Sequence, residues 1–187
     1  EDTKQFVGDG YKKLVERSLI AYGDKELTHY KEALDVYNEV FKDCCLYKVE
    51  AYEGIPQLLD FLKEHGILAT VLSNKPHQRA LENVAHVFGD HTFDKVYGER
   101  EALGIRKKPA PDGVVALIEE LGLKKEDCLY LGDTNTDMET GQAAQVDTVG
   151  VTWGFRPREE LEAFTPKLVA DSPLQVIDYI KAVNHIE

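Results

Sequence analysis

Three short stretches carry residue types suited to an anionic substrate held beside a metal. The first is Leu72-Ser73-Asn74-Lys75-Pro76, where a hydroxyl and the following backbone N–H stand between an apolar run and a helix start. Both can donate to a phosphate oxygen, and the helix N-terminus behind them adds a favourable dipole. The second is Arg106-Lys107-Lys108-Pro109-Ala110-Pro111-Asp112. A residue before proline is biased to extended backbone, so Lys108 can reach from a loop and neutralise a phosphoryl group. The third is Leu129-Tyr130-Leu131-Gly132-Asp133-Thr134-Asn135-Thr136-Asp137, an apolar strand ending in Gly-Asp with a second Asp four residues on. Hard cations such as Mg2+ take one or two carboxylates, and Asp133 at a strand tip with Asp137 in the next helix can supply them. Each stretch also has an ordinary structural reading: Ser73 and Asn74 as helix-capping residues, residues 106–108 as a solvated basic loop, Asp133 and Asp137 as turn and helix-start residues.

Two regions of different rhythm must position these residues. Residues 1 to about 48 read as helices only. One apolar face gathers Tyr11, Leu14, Val15, Ser18, Leu19 and Tyr22, and a second gathers Leu27, Tyr30, Leu34, Tyr37 and Phe41, with Gly23-Asp24 as the turn between them. This pattern predicts a packed helical hairpin. From residue 54 helix and strand alternate. Strands are predicted at Ile67–Leu72, 95–97, Cys128–Leu131, Thr148–Thr152 and Leu168–Ala170, and helices at 55–62, Pro76–Phe88, Asp112–Leu121, Asp137–Gln145, Pro157–Phe164 and Pro173–Val183. Such alternation implies an α/β fold, a parallel sheet covered by helices on both faces. In such sheets ligands collect at the carboxyl ends of the strands, which is where Ser73-Asn74, Lys108 and Asp133 would meet.

Composition narrows the partners. The 187 residues hold 22 basic and 34 acidic side chains, a net charge of −12. That sign argues against nucleic acid and against anionic membrane surfaces, while a local group of cations can still serve a small anion. The three cysteines, Cys44, Cys45 and Cys128, form no CxxC pair, so neither a zinc site nor a disulfide framework is indicated. A reducing, cytoplasmic setting fits. The six histidines show no paired ligand spacing, and no apolar run is long enough to span a bilayer. No oligomeric state is legible.

Taken in order, the three stretches resemble motifs two, three and four of the haloacid dehalogenase (HAD) superfamily: Ser73 after an apolar strand, Lys108 before a proline, and GDxxxD at Gly132 to Asp137. Gly150-Val151-Thr152-Trp153-Gly154-Phe155 followed by Arg158-Glu159-Glu160-Leu161 is similar to the phosphoglycolate phosphatase branch, as is Val7-Gly8-Asp9-Gly10 leading into Leu14-Val15-Glu16-Arg17. The resemblance implies a Rossmann-like core at residues 49–187, a small all-helical cap at residues 1–48, and Mg2+-dependent hydrolysis of a small phosphorylated metabolite through an aspartyl-phosphate. Carried over by position, Ser73 and the Asn74 backbone would bind the phosphoryl group. Lys108 would offset its charge, Asp133 would ligate Mg2+, and Asp137 would support the metal shell or orient Lys108.

One motif of that family is not found: no DxDGT or DxDGS follows an apolar strand in these residues. In the family its first Asp is the nucleophile, and its strand lies between those ending at Ser73 and Asp133. The expectation is that motif one and its central strand belong to an upstream segment, and that this chain alone is inactive in the covalent step. The leading reading is hydrolysis of a 2-phosphoglycolate-like monoester. Alternatives are a sugar-phosphate phosphatase, a pyrophosphatase or a phosphomutase. Metal-free dehalogenation would leave the acidic pair of the fourth motif without a use. A second class is a catalytically inert protein that binds phosphate or metal.

Overall fold

The computed structural model describes residues 2–186; Glu1 and Glu187, at the ends of the two expected regions, lie outside the described residues. Helices α1 (Asp2–Phe6), α2 (Tyr11–Ala21) and α3 (Tyr30–Cys44) come first. An alternating series follows: α4 (Ile55–Glu64), β1 (Thr70–Pro76), α5 (His77–Phe88), β2 (Lys95–Glu99), α6 (Asp112–Leu121), β3 (Leu129–Gly132), α7 (Asn135–Ala144), β4 (Asp147–Val151), α8 (Arg158–Glu162), β5 (Leu168–Ala170) and α9 (Pro173–Asn184).

All strand pairs are parallel, as the alternation requires. They form two ladders, β1-β2 and β3-β4-β5, and β1 and β3 share no ladder among the described residues. Apolar residues cover both faces of the larger ladder. On one face Leu58 and Phe61 of α4 meet Val149 and Val151 of β4, Ala170 of β5, and Val176 and Ile180 of α9. On the other, Val114 of α6, Ala144 of α7 and Val146 pack with Leu72 of β1 and Tyr130 of β3. Through this second cluster α6 joins the two ladders and sets Lys108, just before it, between the tips of β1 and β3.

The expected helical hairpin is present, with two changes. Tyr22 lies just past the end of α2 and is 78% exposed, off the packed face. Leu27 lies outside α3, in a left-handed turn (φ 55°). Asp24 accesses the backbone N–H groups of Thr28 and His29, accepting both at 2.9 and 2.8 Å, so the chain stays in a turn until Tyr30. Tyr11, Tyr37 and Phe41 stack in series, with centroids 5.6 and 5.2 Å apart. An apolar groove of about 450 Å3 runs between α2 and α3, lined by Leu14, Leu19, Val36, Tyr37, Val40 and Phe41.

Strand β1 starts later and ends later than Ile67–Leu72. Ala69 is paired with Asp94, whose backbone N–H donates to its carbonyl and whose carboxylate accepts its N–H, and the strand then runs through Ser73 and Asn74 to Pro76. The chain between α1 and α2 is fastened to the alternating region by Arg156. Its guanidinium donates to the carbonyls of Lys4 (2.8 Å), Gln5 (3.1 Å) and Val7 (2.8 Å), a cation on the exposed carbonyls of a helix end. Arg156→Ala should therefore raise proteolytic cleavage between residues 4 and 10 without lowering the midpoint of cooperative unfolding. Limited proteolysis alongside a thermal melt checks both.

Candidate active site

Lys108 is the centre of the site. Its Nζ donates to Asp137 Oδ1 at 2.6 Å, with only 12% and 6% of the two side chains exposed. Its backbone is clamped by the Asn74 amide. Asn74 Oδ1 accepts the Lys108 N–H at 2.8 Å, and Nδ2 donates to the Lys108 carbonyl at 3.0 Å and to that of Gly8 at 3.3 Å. Asn74 thus binds through its side chain a residue 34 positions away. Ser73, Asn74 and Lys108 line one small cavity of about 10 Å3, room for a single water. The Ser73 oxygen accepts the Lys75 N–H at 3.1 Å, which leaves its own proton free to donate.

Asp137 sits at the third position of α7, and Thr134 caps that helix reciprocally. The Thr134 hydroxyl and N–H both donate to Asp137 Oδ2, at 2.7 and 3.1 Å, and the Asp137 N–H returns to the Thr134 oxygen at 3.2 Å. This is the capping-box arrangement. Gly132 makes it possible, since a Cβ there would overlap the Asp137 side chain. Burial opposes ionisation of Asp137, but the Lys108 ammonium and the Thr134 and Tyr130 donors outweigh it and hold the carboxyl below its ordinary range. Burial likewise disfavours the Lys108 charge, yet the facing Tyr130 and Asp137 oxygens push its pKa up. The pair is a fixed ion pair at neutral pH.

Asp133 is placed differently. Its Oδ2 accepts the Phe155 N–H at 2.9 Å, and beyond that bond and its own backbone N–H no donor reaches the carboxylate among the described residues. The loop after β4 closes on it so tightly that a Cβ on Gly154 would overlap its carboxylate. Burial, and then repulsion from Asp137, raise its pKa. A desolvated carboxylate with an open oxygen is a suitable hard-cation ligand. No cluster of three or more His, Cys, Asp or Glu side chains occurs among the described residues. The open side of Asp133 is where a hard cation such as Mg2+ would fit, with water and substrate oxygens taking the remaining positions, the way this ion is commonly held. Both Asp137 oxygens are already engaged with neighbours.

The structure thus joins Asn74, Lys108 and Asp137 by direct hydrogen bonds, puts Ser73 beside Asn74 on a small cavity that Lys108 lines and Asp137 does not, and sets Asp133 within electrostatic range of Lys108 and Asp137. Several contributors escape the motif reading. Thr134 had a signal, the T-x-x-D spacing ahead of a helix. Gly154 and Phe155 lay in a stretch used only for resemblance. So did Asp9, whose carboxylate pairs with Arg17 and accepts the Thr136 hydroxyl at 2.8 Å, 127 positions away.

Residues 1–151 match the family of haloacid dehalogenase-like hydrolases. The chain belongs to this family. Within it the similarity runs to the phosphoglycolate phosphatase branch. The chain is 29% identical over 171 residues to a phosphoglycolate phosphatase from Colwellia psychrerythraea, covering 89% of this chain and 75% of that one. It is 32% identical over 153 residues to a 5'-nucleotidase from Pseudomonas aeruginosa, covering 82% and 68%. A crystal structure from Lactobacillus delbrueckii subsp. bulgaricus, assigned as a phosphoglycolate phosphatase, superposes with a TM-score of 0.86 at 29% identity, over 96% of this chain and 82% of that one. No helix among the described residues is long and apolar enough to cross a membrane.

Because the folded pKa of Asp133 lies above its unfolded value, its ionised form costs stability at all pH above that raised value, and the cost fades as pH falls through it. Asp133→Asn should raise the thermal midpoint of the metal-free protein, because a neutral amide carries no charge to desolvate, and should abolish Mn2+ binding. Calorimetry on the HAD-like chain and its variant measures both. A lower midpoint with Mn2+ still bound would contradict the assignment.

Proposed function

We propose that this HAD-like chain acts in Mg2+-dependent hydrolysis of a small phosphate monoester of the 2-phosphoglycolate type, through an aspartyl-phosphate, in the cytoplasm. The observation that carries this reading is the buried Lys108 ammonium, clamped through its backbone by Asn74 and through Nζ by Asp137, beside an open oxygen of Asp133. Ser73 Oγ donates to one phosphoryl oxygen and the Asn74 N–H to another. Lys108 offsets charge on the phosphoryl group as it transfers, and its fixed position means no reorganisation at that moment. Asp137 acts by orienting Lys108. Asp133 holds Mg2+, which when bound neutralises phosphate charge and aligns the phosphoryl oxygens. Helices α1–α3 serve as the cap over the substrate, and the loop Val7–Gly10 meets the core beside Asn74 and Thr136.

The attacking carboxylate is assigned to no residue of this sequence, because none carries the DxDGT or DxDGS pattern. In this reading it comes from a motif-one strand outside the sequence, and the 187 residues bind phosphate esters without completing turnover. The alternative of an inert phosphate-binding or metal-binding protein uses the same residues and differs only in whether such a strand ever joins them.

Binding of 2-phosphoglycolate, nucleoside 5'-monophosphates, sugar phosphates and pyrophosphate, measured by calorimetry with and without Mg2+, ranks the substrates. The expected result is Mg2+-dependent binding strongest for 2-phosphoglycolate. Lys108→Met should weaken it about 10- to 100-fold, the loss of a charge-assisted contact worth roughly 1.5–3 kcal/mol. In a protein supplied with a motif-one strand, the same substitution should lower kcat by about 100-fold or more. Absence of any phosphate-ester binding with Mg2+ present would overturn the proposal.

A further inference from the structure

Tyr130 is half-buried beneath the site, and nothing in the mechanism above uses it. Strand alternation directs Leu129 and Leu131 of β3 to the cluster around Val149 and Val176, and sends Tyr130 to the opposite face, against Val114, Ala144 and Val146. Its ring is thus held by helices α6 and α7 while its hydroxyl reaches the start of α7. There it donates to Asp137 Oδ1 at 3.2 Å, the same oxygen that accepts Lys108 Nζ at 2.6 Å. The other oxygen is held by the N–H and hydroxyl of Thr134.

We propose that Tyr130 is a positioning residue: its hydroxyl locks the Asp137 carboxylate in one orientation and thereby aims the Lys108 ammonium at the phosphoryl site. This rests on the phosphoryl-transfer reading of that site. A carboxylate has about four lone-pair positions, and here four donors fill them: Lys108, Tyr130 and the two groups of Thr134. Thr134 fixes only Oδ2. Without the Tyr130 hydroxyl, Oδ1 is tethered solely to the lysine, and carboxylate and ammonium can swing as a unit about Oδ2. The strand's packing residue thus also sets the direction of the cation, tying the core between α6 and α7 to the chemistry above it.

The test uses Tyr130→Phe, which keeps the ring, and Tyr130→Leu, which removes it, in the full 187-residue chain. Two quantities are read: the affinity for inorganic phosphate with Mg2+ present, by calorimetry, and the 15N resonance of the Lys108 ammonium, by NMR. Tyr130→Phe is expected to raise the phosphate dissociation constant about three- to tenfold, the worth of one buried hydrogen bond. The same variant should shift or broaden the ammonium resonance, with a smaller fall in thermal midpoint than in Tyr130→Leu, which also loses the ring packing. The proposal is overturned if the resonance does not move in Tyr130→Phe, whatever the affinity does. It is also overturned if only Tyr130→Leu changes the two readouts, because ring packing would then be the cause. A parent chain that binds no phosphate would remove the phosphoryl-transfer reading, and the ammonium resonance would still decide whether Tyr130 orients Lys108.

Discussion

The site depends on one buried ion pair, Lys108 with Asp137. Taking two charges out of water costs several kcal/mol for each, and their attraction repays this only where the remaining donors and lone pairs are also satisfied. Here they are: Thr134 and Tyr130 complete Asp137, and the Asn74 amide satisfies the Lys108 backbone. The pair is therefore better understood as a means of placement than as a source of stability. Three separate pieces of chain, the tip of β1, the loop before α6 and the first turn of α7, must each be in register before it can form. The same bonds occupy both oxygens of Asp137, which leaves Asp133 as the less engaged of the two carboxylates.

That division between the two acids follows from backbone spacing. Gly132 lets the side chain of Asp137 fold back against the strand end, and Gly154 lets the loop after β4 close on Asp133. A side chain at either position would drive a carboxylate out of its place. The two acids consequently have opposite electrostatics although they are four residues apart: donors press the carboxyl of Asp137 down, while desolvation and the charge of its neighbour push that of Asp133 up. Repulsion between them is relieved whenever a cation or a proton reaches Asp133.

Much of the architecture was legible because periodicity reports burial directly. The bounds of α6 and β5 follow from the apolar pattern, and Gly122 marks the end of α6, where its backbone is left-handed. The start of β1 was hidden because Ile67 and Leu68 are apolar yet not strand residues; what fixes the boundary is the pairing of Ala69 with Asp94, 25 positions beyond it. The meeting of Ser73, Lys108 and the acids was legible as a consequence of parallel strands ending on one edge. The details that make the site specific were not. An Asn that grips a backbone 34 residues away, or an Asp9 that reaches Thr136, leaves no local pattern, since the chemistry of an amide or carboxylate does not announce its partner.

The charge balance of the site bears on what it can hold. One ammonium facing two carboxylates leaves a net single negative charge at the strand tips, in a chain whose overall charge is −12. A phosphate monoester near neutral pH brings roughly two more negative charges, and the global field gives it no assistance in approaching. Lys108 cannot compensate alone, because Asp137 already neutralises it. The open oxygen of Asp133 is the position where a divalent cation would reverse the local sign, so phosphate and cation should bind with strong mutual dependence. In the proposed arrangement Lys108 would contribute direction more than net charge: its pairing with Asp137 makes it a fixed donor, held at its backbone by Asn74 and, through Asp137, by Thr134 and Tyr130.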